Sequence, residues 1–246
     1  MNVLFVLALY AILHVQFAKA LRQARVPSVR YGVCSYQKIA RTFMKTGDIV
    51  LFDMQRSPSA VQMYKAMIYR GADGTCWGHS GVIIRRPADG ALFVYESNPS
   101  RHYDELLGTR VFGIHLVPLE ERLRTYGGRC AWRPLPRVPE QCTYERAMEY
   151  VDARHLSAYC APHARMLPRY LHDMPSRAPA TMSFLIGKRS IYCSQLAGDM
   201  LCHLGIMASQ PRGALWIPSD LTDEARVHFF HPMYEPVHTF IIDMDS

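Results

Sequence analysis

The succession of apolar and polar positions marks out most of the elements of this chain. Ile49-Val50-Leu51-Phe52 is a short apolar run entered through the turn residues Thr46-Gly47-Asp48, which predicts a buried strand. Val61, Met63, Tyr64, Met67 and Ile68 recur at helical spacing and predict a helix over Ser59–Tyr69. Two strand-like runs, Ser80–Arg85 and Ala91–Ser97, flank Pro87-Ala88-Asp89-Gly90 and read as a hairpin. Phe112–Val117 predicts a strand, Pro118 opens a short helix through Arg124, and Cys130–Pro134 predicts a further strand. Helical patterns over Thr143–Ala153 and Ser190–His203 follow, then an Ile217-Pro218-Ser219-Asp220-Leu221 turn and a final strand near Thr239–Ile242.

Two segments stand outside this pattern. Residues 154–189 are irregular, with Pro162, Pro168, Pro175 and Pro179, and read as a lid or an insertion, since structureless loops of that length are uncommon in a compact domain. Val3–Leu13 is an unbroken apolar run whose length suits a signal-peptide core better than a span of about 20 residues. Ala18-Lys19-Ala20 offers a cleavage pattern, but no Lys or Arg precedes the run, so a short uncleaved anchor stands beside the signal peptide as a second reading; a buried first helix is the third. The expected organisation is therefore a signal peptide or short membrane anchor over 1–20, a polar, basic connector over 21–40 and one folded domain over 41–246. The expected location is the secretory pathway or a membrane, the cytoplasmic face included.

Composition narrows the function classes. Apolar residues make up 49% and charged residues 20% of the 246, which is the balance of a chain that folds. The net charge of +7 is scattered, with no basic run and no aromatic-interleaved basic motif in sequence, so nucleic acid is not expected as a partner and an anionic membrane surface is. Seven cysteines leave one unpaired in an oxidising compartment, where Cys34, Cys76, Cys130, Cys142, Cys160 and Cys202 are available to pair; in a reducing one none need pair.

One of these cysteines occupies a chemically distinctive position. With Ser190 as N-cap and Gly205 as the stop, Cys193, Ala197, Met200 and Leu204 share one helical stripe at roughly 100° per residue, with Leu196 and Leu201 beside it. Cys193 then lies in the first turn, where the positive end of the helix stabilises a thiolate. Cys202 points about 180° away and reads as a core residue or disulfide partner.

A nucleophilic thiol needs a base, and His79 lies among small residues just as a strand begins. If Arg86 pairs with Ala91 across the hairpin, Glu96 falls opposite Gly81, on the sheet face of His79 and diagonal to it. Gly81 leaves the space between them open, and the carboxylate can fix the imidazole tautomer while the other nitrogen meets Cys193. A one-residue slip would send Glu96 to the other face.

Together, Gly47-Asp48-Ile49-Val50, Gly78-His79-Ser80-Gly81-Val82, Val94-Tyr95-Glu96, Pro118-Leu119-Glu120, Tyr192-Cys193-Ser194-Gln195-Leu196 and the Ile217–Leu221 turn resemble the circularly permuted NlpC-type papain-like hydrolases, above all the YiiX/YaeF-like branch. The wider group includes lecithin retinol acyltransferase-like enzymes. The resemblance implies an α+β fold with a small antiparallel sheet against the nucleophile helix. It implies a thiol hydrolase or acyltransferase acting on an amide, ester or thioester of a peptide or lipid, with Cys193 as nucleophile, His79 as base and Glu96 as orienting acid. Tyr192 and Ser194 become candidates for packing or oxyanion support, and the chemistry requires neither metal nor organic cofactor. Two rivals remain: a catalytically inactive papain-fold binding or structural protein at a membrane, and a zinc protein built on Cys160-Ala161-Pro162-His163, for which a second properly spaced pair is missing.

Overall fold

The computed structural model describes residues 32–53, 77–155, 191–207, 218–221 and 240–245. Among them, β1 (Gly32–Ser35), β2 (Ile49–Asp53), β3 (Trp77–Arg85), β4 (Leu92–Asp104), β5 (Thr109–Pro118), β6 (Cys130–Arg133) and β7 (Phe240–Asp243) build one sheet. The order in space is β1-β7-β6-β2-β3-β4-β5, and every neighbouring pair is antiparallel except β1 with β7. Helices α1 (Tyr36–Thr42), α2 (Leu119–Thr125), α3 (Tyr144–Arg154) and α4 (Cys193–His203) and a 3-10 turn at Pro218–Leu221 complete an α+β arrangement.

The central strand explains the apolar run from which it was read. Ile49 and Leu51 enter a core with α3 and α4, while Val50 and Phe52 enter a second core with α1 and α2 on the opposite face. A strand covered on both faces needs apolar residues at every position. Leu196, Ala197, Met200 and Leu201 of α4 and its C-cap Leu204 are all buried in the first core, and Leu119 and Leu123 of α2 in the second. Each fully buried large aliphatic side chain contributes about 1.5–3 kcal/mol, so the two helices are fixed to opposite faces of one sheet. At the far end of α4, Gly205 adopts φ +73°, with Ile206 N–H donating to Leu201 O at 2.9 Å, the left-handed stop that its position predicts.

Several boundaries differ from the sequence expectation. Among the described residues the sheet is seven strands wide, not small. The N-cap of α4 is Tyr192, not Ser190, because Tyr192 is held extended and fully buried; Cys193 is therefore the first helical residue. β4 runs on to Asp104 and β5 starts at Thr109, so the polar residues after Ser97 extend a hairpin. Part of the 21–40 stretch forms β1 and most of α1, whose Tyr36 and Ile39 are buried against the sheet. Among the described cysteines, Cys34, Cys130 and Cys142 are free thiols. The apolar run at 3–13, the Ser59–Tyr69 helix, Cys76, nearly all of the 154–189 insertion and the Cys160/His163 pair lie outside the described residues. No helix among the described residues is long and apolar enough to cross a membrane.

Candidate active site

The β3–β4 hairpin has the register read from its turn. Arg86 N–H donates to Ala91 O at 2.9 Å, and the ladder runs from Arg85↔Leu92 to Val82↔Tyr95. One further step sets Glu96 beside Gly81, and His79 Nε2 meets Glu96 Oε2 at 2.6 Å. A Cβ on Gly81 would collide with Val94 Cγ2 and lie 3.1 Å from Tyr95 O, so this close approach requires glycine. The His79 ring also stacks at a tilt on Phe52, its cross-strand neighbour on β2, with centroids 5.2 Å apart.

Glu96 is fully buried, and its second oxygen is also engaged. Oε1 accepts from Arg122 Nε at 2.6 Å and lies 3.1 Å from His115 Nε2. An ionised carboxylate only accepts, so His79 and His115 both carry their hydrogen on Nε2, which leaves Nδ1 of His79 for another partner. Burial alone would raise the Glu96 pKa. The Arg122 charge, then His79 and the hydrogen bonds from His115 and His79, hold it well below the usual carboxylate range instead. Arg122 is itself packed, its guanidinium 4.4 Å over the Phe52 ring and 5.2 Å over Tyr126.

The other partner of His79 is Cys193, which hydrogen-bonds to the ring. Ile83 and Val94, in alternation with His79 and Glu96 on their strands, enter the α1–α2 core, whereas α4 packs on the other face. The two sides meet where the β3–β4 ladder has stopped. There Ser97 Oγ donates to Ile191 O at 2.7 Å, fastening the residue after Glu96 to the segment that leads into Cys193. Cys193 sits at the α4 N-terminus, buried at 6% exposure. Tyr192 and Ser194, its neighbours, are also buried.

Burial lowers the His79 pKa, but the charges of Glu96 and Cys193 and hydrogen bonds to both outweigh it and raise it to about 9. Glu96 and Cys193 are the two groups whose negative charge favours the imidazolium form of His79, with Arg122 already compensating Glu96. Burial pushes three other thiols upward, Cys34 to about 11 and Cys130 and Cys142 to about 12.

Arg122, His115 and Ser97 were not singled out from sequence. Arg122 carried a signal, since it falls on the apolar stripe of α2 between Leu119 and Leu123, where a solvated arginine does not belong. His115 lies directly opposite Glu96, but an irregularity between Asn98 and His102 shifts the β4–β5 register, and no turn-based count would have paired them. Ser97 carried no signal, because its partner is a backbone carbonyl nearly a hundred residues away.

No known protein family matches the chain, and no curated protein does. A solved structure that resembles it is described as the metalloprotein yiiX from Escherichia coli O157:H7, DUF1105. That likeness has a TM-score of 0.40 at 16% identity and covers 68% of this chain and 71% of that one. Here Glu96, His102 and His115 bring one ligand atom each within 4.8 Å of one another. They do not fit a resident metal ion: both Glu96 oxygens are engaged, and the Arg122 guanidinium already stands against Oε1, where a cation would have to bind. His79, His115 and Arg122 instead clamp this one carboxylate.

Proposed function

We propose that this chain is a cysteine-dependent hydrolase or acyltransferase of permuted papain-like fold, acting on an amide, ester or thioester. The observation that carries this reading is one imidazole, His79, hydrogen-bonded on one side to the buried carboxylate of Glu96 and on the other to Cys193 at a helix N-terminus. Glu96 fixes the tautomer, Arg122 and His115 fix Glu96, and His79 holds the proton that leaves Cys193.

The Cys193 thiolate attacks the carbonyl carbon, and the carbonyl π electrons move to oxygen beside the positive end of α4. The tetrahedral adduct collapses, the bond to the leaving group breaks, and the His79 imidazolium gives that group its proton. The acyl group is now a thioester on Cys193. Water, or an acceptor alcohol or amine, loses a proton to neutral His79 as it attacks, and the thiolate leaves with the acid, ester or amide released.

The test is to incubate the protein with a panel of activated esters, amides and acyl lipids and to weigh the intact chain. An acyl adduct that maps to Cys193 and is lost in C193A supports the proposal. Folded protein that acquires no adduct at Cys193 from any of them would overturn it, and would favour a papain-fold binding protein without turnover.

A further inference from the structure

Beyond Ser97 the hairpin that contributes Glu96 turns back over β5, with the His102 ring 5.0 Å from that of His115 and Glu105 N–H donating to Leu116 O. This folded-back ribbon has an unusual outer surface. At its tip Leu106 and Leu107 are 43% and 49% exposed. They are not loosely held. The carboxylate of Asp104, fully buried, accepts from the N–H groups of Leu106 at 3.0 Å, Leu107 at 2.8 Å and Leu116 at 2.8 Å, and His155 stands 3.2 Å away. A buried carboxylate with this many partners fixes a turn that presents two adjacent leucines to solvent.

The ribbon behind the tip alternates two chemistries. Tyr103 pairs directly with Arg110, and the Arg101 guanidinium lies 4.7 Å over the Phe112 ring. All four are exposed, while the alternate positions His102, Asp104 and Val111 turn inward. Arginine and aromatic side chains therefore share one outer face. The acid at the tip, Glu105, is drawn back toward Arg86 at 3.4 Å.

We propose that the distal β4–β5 ribbon docks this protein on an anionic lipid bilayer. Leu106 and Leu107 enter the boundary of the acyl region, Tyr103 and Phe112 lie at headgroup depth, and Arg101 and Arg110 meet lipid phosphates. The sign of the partner follows from the two arginines and from the chain's net charge of +7. The exposed leucine pair favours a bilayer over single-stranded nucleic acid, which would use the aromatic and basic face but has no place for an aliphatic tip. The proposal is independent of turnover at Cys193.

The full chain is sedimented with vesicles of phosphatidylcholine, with and without phosphatidylserine, and a Leu107→Trp variant is followed by emission and by quenching from brominated acyl chains. The proposal predicts stronger binding to the anionic vesicles and a blue-shifted, quenchable signal from the introduced indole above the wild-type background. L106S/L107S and R101Q/R110Q should each weaken binding by about tenfold or more at unchanged melting temperature. Vesicle binding that both double variants retain, an emission that does not move, or loss in those variants of oligonucleotide binding alone would overturn it.

Discussion

Arg122 Nε lies 2.6 Å from Glu96 Oε1, the carboxylate oxygen that His79 does not use. The arginine thus supports the candidate base from behind, through a residue both of them share. Removing it leaves a buried carboxylate short of its strongest partner, and breaking one side of such a pair costs about 3–5 kcal/mol. R122M should lose stability on that order in urea titrations. R122K should recover only part of it, because an ammonium keeps the charge but not the planar contact over Phe52.

The raised His79 pKa fixes the sign of a pH effect. Its folded value of about 9 exceeds the ordinary imidazole value of about 6.5, so the stability it contributes is fully present below the latter and is lost as pH rises through about 9. An NMR titration of the His79 ring should give a midpoint near that value. In E96Q the midpoint should fall toward the ordinary one; a wild-type midpoint already there would contradict the electrostatics described.

Gly81→Ala tests the hairpin directly. Its methyl group would collide with Val94 Cγ2 and crowd Tyr95 O, and overpacking of this kind costs about 1–3 kcal/mol. G81A should lower the melting temperature, and G81A/V94A should restore part of it, the contact with the backbone oxygen remaining.

Ser97→Ala removes the tie between β4 and the approach to α4, leaving the buried Ile191 carbonyl without that donor. A loss of about 1–3 kcal/mol is expected from the unsatisfied acceptor. Turnover of the folded variant should fall while the His79 titration changes little, since its bond to Glu96 is untouched.

The parts of the site written in local pattern were legible in the sequence. The Pro87–Gly90 turn set the hairpin register and with it the meeting of His79 and Glu96, and the α4 stripe put Cys193 at a helix start. What escaped depends on contacts distant along the chain: Arg122 reaching across from α2, His115 brought opposite Glu96 past an irregular ladder, and Ser97 bound to Ile191. The N-cap expectation failed for a related reason. Ser190 has the better capping side chain, but the fixed, buried position of Tyr192 decides where α4 begins.

The central claim is that His79 holds Cys193 as a thiolate, and site-resolved alkylation tests it most directly. Wild type and H79A are treated near neutral pH with limiting iodoacetamide, and the modified thiols are mapped by mass spectrometry. Cys193 should react at least about tenfold faster than Cys34, Cys130 and Cys142, whose burial keeps them protonated, and H79A should abolish that difference. Equal, slow labelling of all four thiols, or an unchanged Cys193 rate in H79A, would contradict the account.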